Sequence, residues 1–264
     1  MVDEVTGALG EGEVEVEVEV ELEQRWSITG HLNGGYLAAV AGEVASAALD
    51  GAEPLTISAH YLEAARGGGP AQARVEILRR GRLSSARVSL RRGGVILAEF
   101  LVTVGKPRSS DAQIEHALPP DLPPWEQCRV AGPLWEGPGM DLLNLLHVRL
   151  HPDDGNSLVG GAPSDRAVMR AWTMYRDGNP ADRRLAMAVW DTLPPSLWGL
   201  GLAGNLPTVA AQILLYPGPI VGRLQSMAQT DTLRDGIVDE TSRVWDETGR
   251  LIVSARQTAI FIPA

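Results

Sequence analysis

The side chains that most often carry out chemistry in enzymes are sparse in this chain. Cys128 is the only cysteine, and it stands in the proline-rich stretch PPWEQCRVAGP with no histidine close to it in sequence. A cysteine nucleophile with a neighbouring base is therefore not favoured, and an internal disulfide or a cysteine-rich zinc site is excluded. The histidines fit no metal-ligand spacing; they are His31, His60, His116, His147 and His151. We expect no metal and no cofactor.

Two adjacent glycines, Gly34 and Gly35, open a helix that consists largely of alanine, GGYLAAVAGEVASAA. Its apolar residues keep helical spacing, its other faces carry small residues, and Glu43 is the only charge within it. A helix without a polar face is buried nearly all round. Asn33 precedes the glycines and is a residue type that caps helices.

Strand-like patterns surround this helix. Residues 13–23, EVEVEVEVELE, alternate strictly, which predicts a strand with one buried face. Four strand-like runs follow the helix up to Gly105: LTISAHYLEA, AQARVEILRR, SSARVSLRR and GVILAEFLVTVG. A proline-rich segment, 106–141, then predicts a linker. Beyond it the same order returns in one strand, one helix and four strands: DRAVMRAWTMYRDG, ADRRLAMAVWDTL, LPTVAAQILLYPG, IVGRLQSMAQTD, IVDETSRVWDETG and RLIVSARQTAIFI.

The two halves also match residue by residue in places. The run from Thr56 lies against the run from Thr208, and GGVILAEFLVTV matches GRLIVSARQTAI, which pairs Leu101 with Gln257. Order, spacing and shared turn glycines favour an internal duplication. A sheet wrapped around one buried helix, twice over, predicts an α+β double hot-dog fold. The predicted domains are an N-terminal hot-dog domain, 1–105, a linker, 106–141, and a C-terminal hot-dog domain, 142–264.

Composition narrows the class of partner. The net charge is −10 with a pI near 5.0, which argues against a nucleic-acid binder. The first residues contain no basic region followed by an apolar run of signal length. No run of about eighteen apolar residues that would span a membrane is present. We expect a soluble, cytoplasmic protein that acts on a small molecule.

The sequence resembles the acyl-CoA thioesterases of the thioesterase II type, which carry two hot-dog domains in one chain. The motifs that carry the resemblance are WSITGHLNGGYLAAVAGEVASAA, LRRGRLSSARVSLRRGGVILAEFLVTVGK, VWDTLPP, LPTVAAQILLY and GRLIVSARQ. They cover nearly the whole chain except its start and the linker. Their order and spacing are more specific for the fold than for the activity.

The resemblance implies a catalytic trio in the second domain. In that family an aspartate, a threonine and a glutamine hold the water that attacks the thioester. These residue types fall on Asp191 of VWDTLPP, Thr208 of LPTVAA and Gln257 of SARQTA. Asp191 would accept a proton as general base, while Thr208 and Gln257 would fix the water by hydrogen bonds.

The resemblance also suggests how substrate is bound. Backbone N–H groups at a helix N-terminus can stabilise a developing oxyanion, which gives Gly34 and Gly35 a role beside a bound thioester. Asn33 is expected to cap the helix or contact substrate. The resemblance implies fatty acyl-CoA as the substrate class. Arginines are candidates for its phosphates: Arg79, Arg80, Arg82, Arg91 and Arg92.

The duplication raises the question of a second site in the first half. Gly42 stands nine residues after Asn33 in the first half, as Asp191 stands nine residues after Asp182 in the second, so Gly42 takes the place of Asp191. Leu101 takes the place of Gln257. The first half therefore lacks the aspartate and the glutamine, so one live site is expected. Glu43, one position from Gly42, is the alternative acid.

Two other functions stay open at this stage. YRDGNPADRR resembles a hot-dog hydratase signature through Asp177, Asn179 and Pro180, but Asp182 stands where a histidine is needed. A turn leading into a helix is the simpler interpretation. The other alternative is an acyl-CoA binding protein without turnover, since the residues after Thr208 are apolar. The duplication supplies the usual pairing of hot-dog domains internally, which makes further self-association optional; a homodimer is the further assembly that we favour.

Overall fold

The computed structural model describes residues 15–106, 114–131 and 140–264. Twelve strands of the described residues form one antiparallel sheet in the order β1-β5-β6-β7-β4-β12-β15-β14-β13-β10-β9-β8. The strands are β1 Glu15–Leu22, β2 Ser27–Ile28, β3 His31–Leu32, β4 Glu53–Tyr61, β5 Gly69–Arg79, β6 Leu83–Arg92, β7 Val95–Gly105, β8 Arg129–Val130, β9 Leu146–Leu150, β10 Val168–Tyr175, β11 Gly204–Asn205, β12 Thr208–Leu215, β13 Leu224–Arg234, β14 Ile237–Trp245, β15 Leu251–Ile260 and β16 Ile262–Pro263. The helices are α1 Gly34–Ala48, α2 Leu142–Leu145 and α3 Arg183–Val189.

Each half of the sheet wraps one helix, which confirms the double hot-dog fold. The alternating strand predicted over 13–23 is β1, whose first two predicted residues lie outside the described ones; its Val18, Val20 and Leu22 face the core. Helix α1 is buried from Gly35 to Gly42 without a break, as its lack of a polar face requires. It packs on β4 to β7 and on α3.

The halves meet along β4 and β12, which are antiparallel neighbours at the centre of the sheet. Ser58 lies opposite Gln212 at this seam, and its hydroxyl donates to the Gln212 side chain at 2.8 Å. Strands on the two sides follow in the same order, so the internal repeat is present in the fold.

The ungapped register of the repeat, however, is wrong by one residue along β7 and β15. It is wrong by two residues along β4 and β12, where Pro54 and not Thr56 is equivalent to Thr208. A bulge leaves Leu97 unpaired in β7 and Ile252 unpaired in β15, so these two residues are equivalent. Counting from the bulges, the partner of Gln257 is Val102 and not Leu101. Leu101 is 46% exposed on the outer face of the sheet, whereas Val102 is fully buried. In a strand a shift of one residue exchanges the two faces.

Part of the segment predicted as a linker joins the second half of the sheet. Trp125–Gln127 form a 3₁₀ turn, and β8 pairs with β9 at the sheet edge. The Trp172 indole and the Arg170 guanidinium donate to the carbonyls of Pro123 and Asp121. Residues 107–113 and 132–139 of the predicted linker lie outside the described ones. None of the described helices is long and apolar enough to cross a membrane.

Helices α1 and α3 approach each other closely at Gly35. A Cβ at Gly35 would lie 2.7 Å from the carbonyl oxygen of Met187 and 2.8 Å from that of Ala188. Both atoms belong to the backbone of α3, so they cannot turn aside as a side chain can. Glycine at position 35 therefore sets how near the start of α1 comes to the end of α3.

We expect Gly35→Ala to lower the free energy of unfolding by about 1–3 kcal/mol, because the clash outweighs the better helix propensity of alanine. Urea denaturation measures the change. Gly42→Ala in the same helix is the matched control, since its nearest neighbour is the flexible end of Met187 at 3.1 Å. Equal effects at both positions would contradict the backbone clash.

Candidate active site

A cavity of about 850 Å³ brings the two halves together around the predicted residues. Asp191, Thr208 and Gln257 all line it, as do Asn33 and Gly34 from the first half. Much of the remaining wall is apolar, including Ile28, Leu32, Leu142, Leu143, Leu193 and Leu206. The structure thus joins residues that are more than two hundred positions apart in the sequence.

Asp191 lies at the N-terminus of α1, although it belongs to the turn that follows α3. Its Oδ2 accepts a hydrogen bond from the Gly35 N–H at 3.1 Å. The Asn33 side chain donates to the Asp191 carbonyl at 2.7 Å and to Oδ2 at 3.2 Å. The first domain therefore fixes the carboxylate that the second domain contributes.

Burial of Asp191 raises the pKa of its carboxyl to about 7. The backbone N–H groups of Gly35 and Gly34 act in the opposite direction, and the negative charge of Glu240 adds to the rise. A carboxyl with a pKa near neutrality can accept a proton and return it at physiological pH. That property is what general base catalysis needs.

The predicted binding residues Asn33, Gly34 and Gly35 serve this carboxylate directly. Asn33 also caps α1, since its Oδ1 accepts the Tyr36 N–H at 2.8 Å. A Cβ at Gly34 would lie 3.0 Å from both Asp191 Oδ2 and the Tyr61 ring, so only glycine fits without displacement. Because the N–H of Gly35 is engaged by Asp191, a contact of these residues with a thioester oxygen stays a prediction.

Thr208 and Gln257 form a second group of side chains on the cavity wall. The Thr208 hydroxyl donates to Oε1 of Gln257 in a short hydrogen bond. The Gln257 Nε2 in turn donates to Oε1 of Glu240 at 2.7 Å. The three residues sit on β12, β15 and β14, which are adjacent strands, so the sheet holds the chain of hydrogen bonds in line.

Sequence reasoning missed Glu240 and Tyr61, both of which line the cavity. The Tyr61 hydroxyl donates to the Gly34 carbonyl at 2.7 Å, and burial together with the Asp191 charge holds the pKa of this phenol well above its usual range. Glu240 had a detectable signal, because it is in phase with Val238 and Val244 on β14. Period two places all three on the buried face.

The equivalent positions in the first half are apolar. Counted from the bulges, Pro54 is equivalent to Thr208, Val102 to Gln257 and Ala86 to Glu240. Gly42 of α1 lies beside Pro54 of β4, at the place where this half would need a carboxylate like that of Asp191. This half has neither an acid nor a hydrogen-bonding chain in the place of the site.

Glu43, the alternative acid, does not line the cavity. Its two carboxylate oxygens accept hydrogen bonds from the Arg184 guanidinium at 2.7 and 2.5 Å, and Arg184 also pairs with Glu23 at 3.0 Å. With both oxygens engaged by Arg184 and away from the cavity wall, this carboxylate is not placed to meet a substrate. Glu43 links the start of α3 to α1.

Arginines lie outside the cavity, and no arginine or lysine of the described ranges lines it. The charged or titratable groups on its wall are His31, Tyr61, Glu63, Asp191 and Glu240. Arg79, Arg80 and Arg82 are exposed at the turn between β5 and β6. Arg91 and Arg92 are at the end of β6 that lies towards Tyr61 and the cavity. The Arg92 guanidinium donates to the Arg66 and Gly67 carbonyls.

The stretch that resembles a hydratase signature forms a turn and a helix cap. Asp177 accepts hydrogen bonds from the backbone and the side chain of Asn179. Asp182 caps α3 by accepting the Leu185 N–H at 2.7 Å and also accepts the Tyr175 hydroxyl. None of these residues lines the cavity, and no three histidine, cysteine or acidic side chains of the described residues cluster in a way that could hold a metal ion.

Comparison with known proteins assigns the family. Residues 22–105 match the acyl-CoA thioesterase N-terminal domain, and residues 115–261 match the acyl-CoA thioesterase C-terminal domain. The chain belongs to this family of double hot-dog acyl-CoA thioesterases and is a thioester hydrolase.

Solved structures and a curated relative are similar to nearly the whole chain. A Thermobifida fusca protein assigned as a thioesterase II shares 27% identity, with a TM-score of 0.79 and coverage of 99% of this chain and 97% of that one. A hot-dog protein of unknown function from Alicyclobacillus acidocaldarius shares 18% identity, with a TM-score of 0.79 over 100% and 98% of the two chains. An uncharacterised protein of Mycobacterium tuberculosis is 29% identical over 91% of this chain and 89% of its own length.

The raised pKa of Asp191 has a consequence for stability. Folding favours the protonated carboxyl, so its contribution to stability is present below about pH 4 and is lost as the pH rises through about 7. We expect the neutral variant Asp191→Asn to be more stable than wild type at pH 8 by about 1–3 kcal/mol, and equally stable near pH 4. Urea denaturation at both pH values tests this.

Asp239→Asn is the matched control, because its exposed partner Arg256 lowers the pKa of Asp239. This variant is expected to gain no stability at pH 8. A gain for Asp191→Asn that is the same at both pH values would show that the effect does not come from ionisation.

Proposed function

We propose that this thioesterase hydrolyses fatty acyl-CoA to the free acid and CoA by direct attack of water, with Asp191 as the general base. The observation that carries the proposal is the position of Asp191, Thr208 and Gln257 on one cavity, with the pKa of Asp191 raised to about 7. The apolar remainder of the wall suits an acyl chain. The cavity is also large enough for a ligand of ordinary size.

In this mechanism Asp191 takes a proton from water as the oxygen bonds to the thioester carbon. The tetrahedral intermediate then expels CoA as a thiolate, and the proton held by Asp191 passes to that sulfur. Water and thioester thus yield acid and thiol in balance. Asn33 and the Gly35 N–H keep the carboxylate in place throughout.

Thr208 directs the water. Its own proton is donated to Gln257, so towards a water molecule it offers lone pairs only. A water that donates one proton to Asp191 and the other to Thr208 turns a lone pair of its oxygen away from both. Orientation of this kind is a recognised source of rate enhancement.

The acidic cavity wall suggests that the CoA phosphates stay outside it. Of the predicted arginines, Arg91 and Arg92 end β6 on the cavity side, whereas the turn with Arg79, Arg80 and Arg82 is at the other end of that strand. We assign the phosphates to the Arg91–Arg92 end.

The test measures thiol release from acyl-CoAs of increasing chain length for wild type and Asp191→Asn. We expect kcat/KM to fall by about 10²–10⁴-fold in the variant, since a general base is lost. In wild type kcat/KM should rise with pH and reach half of its plateau near pH 7, because only the ionised carboxylate accepts a proton.

Glu43→Gln is the control and should retain activity, since Glu43 does not line the cavity. Full activity in Asp191→Asn would exclude Asp191 as the base. Tight binding of acyl-CoA by wild type without thiol release on any chain length would instead make the protein an acyl-CoA binder.

A further inference from the structure

Glu240 is a buried carboxylate at the inner end of the hydrogen-bonded chain on the cavity wall. It is 4% exposed and lies on β14 opposite Gln257 on β15. Burying a carboxylate so deeply is costly unless its oxygens are fully hydrogen-bonded. The contacts of Glu240 therefore indicate what it does.

Every hydrogen-bond partner of Glu240 on the protein donates to it. Oε1 accepts the Gln257 Nε2 at 2.7 Å. Oε2 accepts the Ser196 N–H at 3.2 Å, the Ser196 hydroxyl at 2.5 Å and the Thr230 hydroxyl at 3.2 Å. A carboxylate is an acceptor only, so the amide end of Gln257 that faces it must be the NH₂.

This constraint passes along the chain to Thr208. With its NH₂ held by Glu240, Gln257 must turn its carbonyl oxygen to Thr208. The Thr208 hydroxyl must then donate to that oxygen, and only its lone pairs remain for a ligand. Without a carboxylate at position 240 the amide can be reversed, and Thr208 can point its proton at the cavity.

The internal repeat supports a role specific to the site. At the equivalent positions of the first half, Ala86 lies opposite Val102 in the same antiparallel pairing that joins Glu240 to Gln257. Both residues are fully buried, so the fold accommodates an apolar pair there without difficulty. The polar pair is found in the half that also has Thr208.

We propose that Glu240 is a positioning residue that fixes the direction of the hydrogen bonds from Thr208 through Gln257, and so makes Thr208 an acceptor for the attacking water. The inference rests on the proposed function for the identity of that water. The direction of the hydrogen bonds can be tested without turnover.

Glu240 also acts on Asp191 through its charge. The other groups that face Asp191 are the phenol of Tyr61 on β4, the side-chain amide of Asn33 and the backbone N–H groups of Gly34 and Gly35 at the start of α1. Glu240 is the one among these that adds negative charge, which favours the protonated form of Asp191. Its removal therefore has an effect on pH dependence that a merely structural residue would not have.

The experiment is Glu240→Gln, which keeps size and shape but removes the charge and the acceptor-only constraint. We expect kcat to fall by about 10–100-fold with KM within about twofold, as for the loss of an oriented group. The midpoint of the acid limb of the kcat/KM profile should move below pH 7. Ser242→Ala is the matched control, since Ser242 is buried on the same face of β14 two residues away, and it should retain activity.

A double-mutant cycle distinguishes positioning from general destabilisation. If Glu240 acts through Thr208, then Glu240→Gln should cost much less in a Thr208→Val background than in wild type. Equal losses of activity in the two backgrounds would overturn the proposal. Should Glu240→Gln fail to fold, Ser196→Ala takes its place, because it removes a donor that anchors Glu240; a few-fold loss of kcat that disappears in the Thr208→Val background is then expected.

Nuclear magnetic resonance separates this inference from the proposed function. The side-chain amide signals of ¹⁵N-labelled Gln257 should shift in Glu240→Gln, and the carboxyl ¹³C signal of Asp191 should titrate with a lower midpoint. Both changes without thiol release in wild type would support the positioning role while refuting hydrolysis of fatty acyl-CoA. Unchanged Gln257 signals and an unchanged Asp191 midpoint would refute the positioning role whatever the activity.

Discussion

The close approach of α1 to the end of α3 is the constraint on which the rest of the site depends. Because Gly35 has no side chain, its backbone comes against the Met187 and Ala188 carbonyls, and its N–H reaches the carboxylate of Asp191. Helix α1 also packs against β4 to β7 and α3 against β15, so each helix is held between the other helix and the sheet. Helix packing, burial of the acid and the shift of its pKa follow from this one contact between the halves.

The two halves use one scaffold for different purposes. Around Gln257 the second half holds a carboxylate, hydroxyls and an amide inside the sheet, each hydrogen-bonded to the next. The first half has alanine, valine and proline at the matching places and gains an ordinary apolar core. The first half contributes to the site of the second half through the N-terminus of α1 and through Tyr61.

Much of the fold could be predicted from the sequence, because period-two alternation in β1 and the small, mostly apolar residues of α1 are local signals. The register of the repeat could not, since the stretch between the paired residues Trp245 and Leu251 is one residue longer than the equivalent stretch between Arg91 and Ile96, which an ungapped match ignores. Asp191, Thr208 and Gln257 came from motif resemblance. Their cavity depends on the pairing of β4 with β12, which no local pattern specifies. Glu240 was overlooked although its alternation with Val238 and Val244 marked it as buried.

The seam at Ser58 and Gln212 joins the halves as two identical subunits would be joined, but within a single polypeptide. Two copies of one gene product must carry the same residue at every symmetric position, so a costly buried carboxylate would have to be accommodated twice. A continuous chain is free of that obligation. The two halves of the chain can diverge, one towards reactivity and the other towards rigidity, because each mutation changes a residue in one half only.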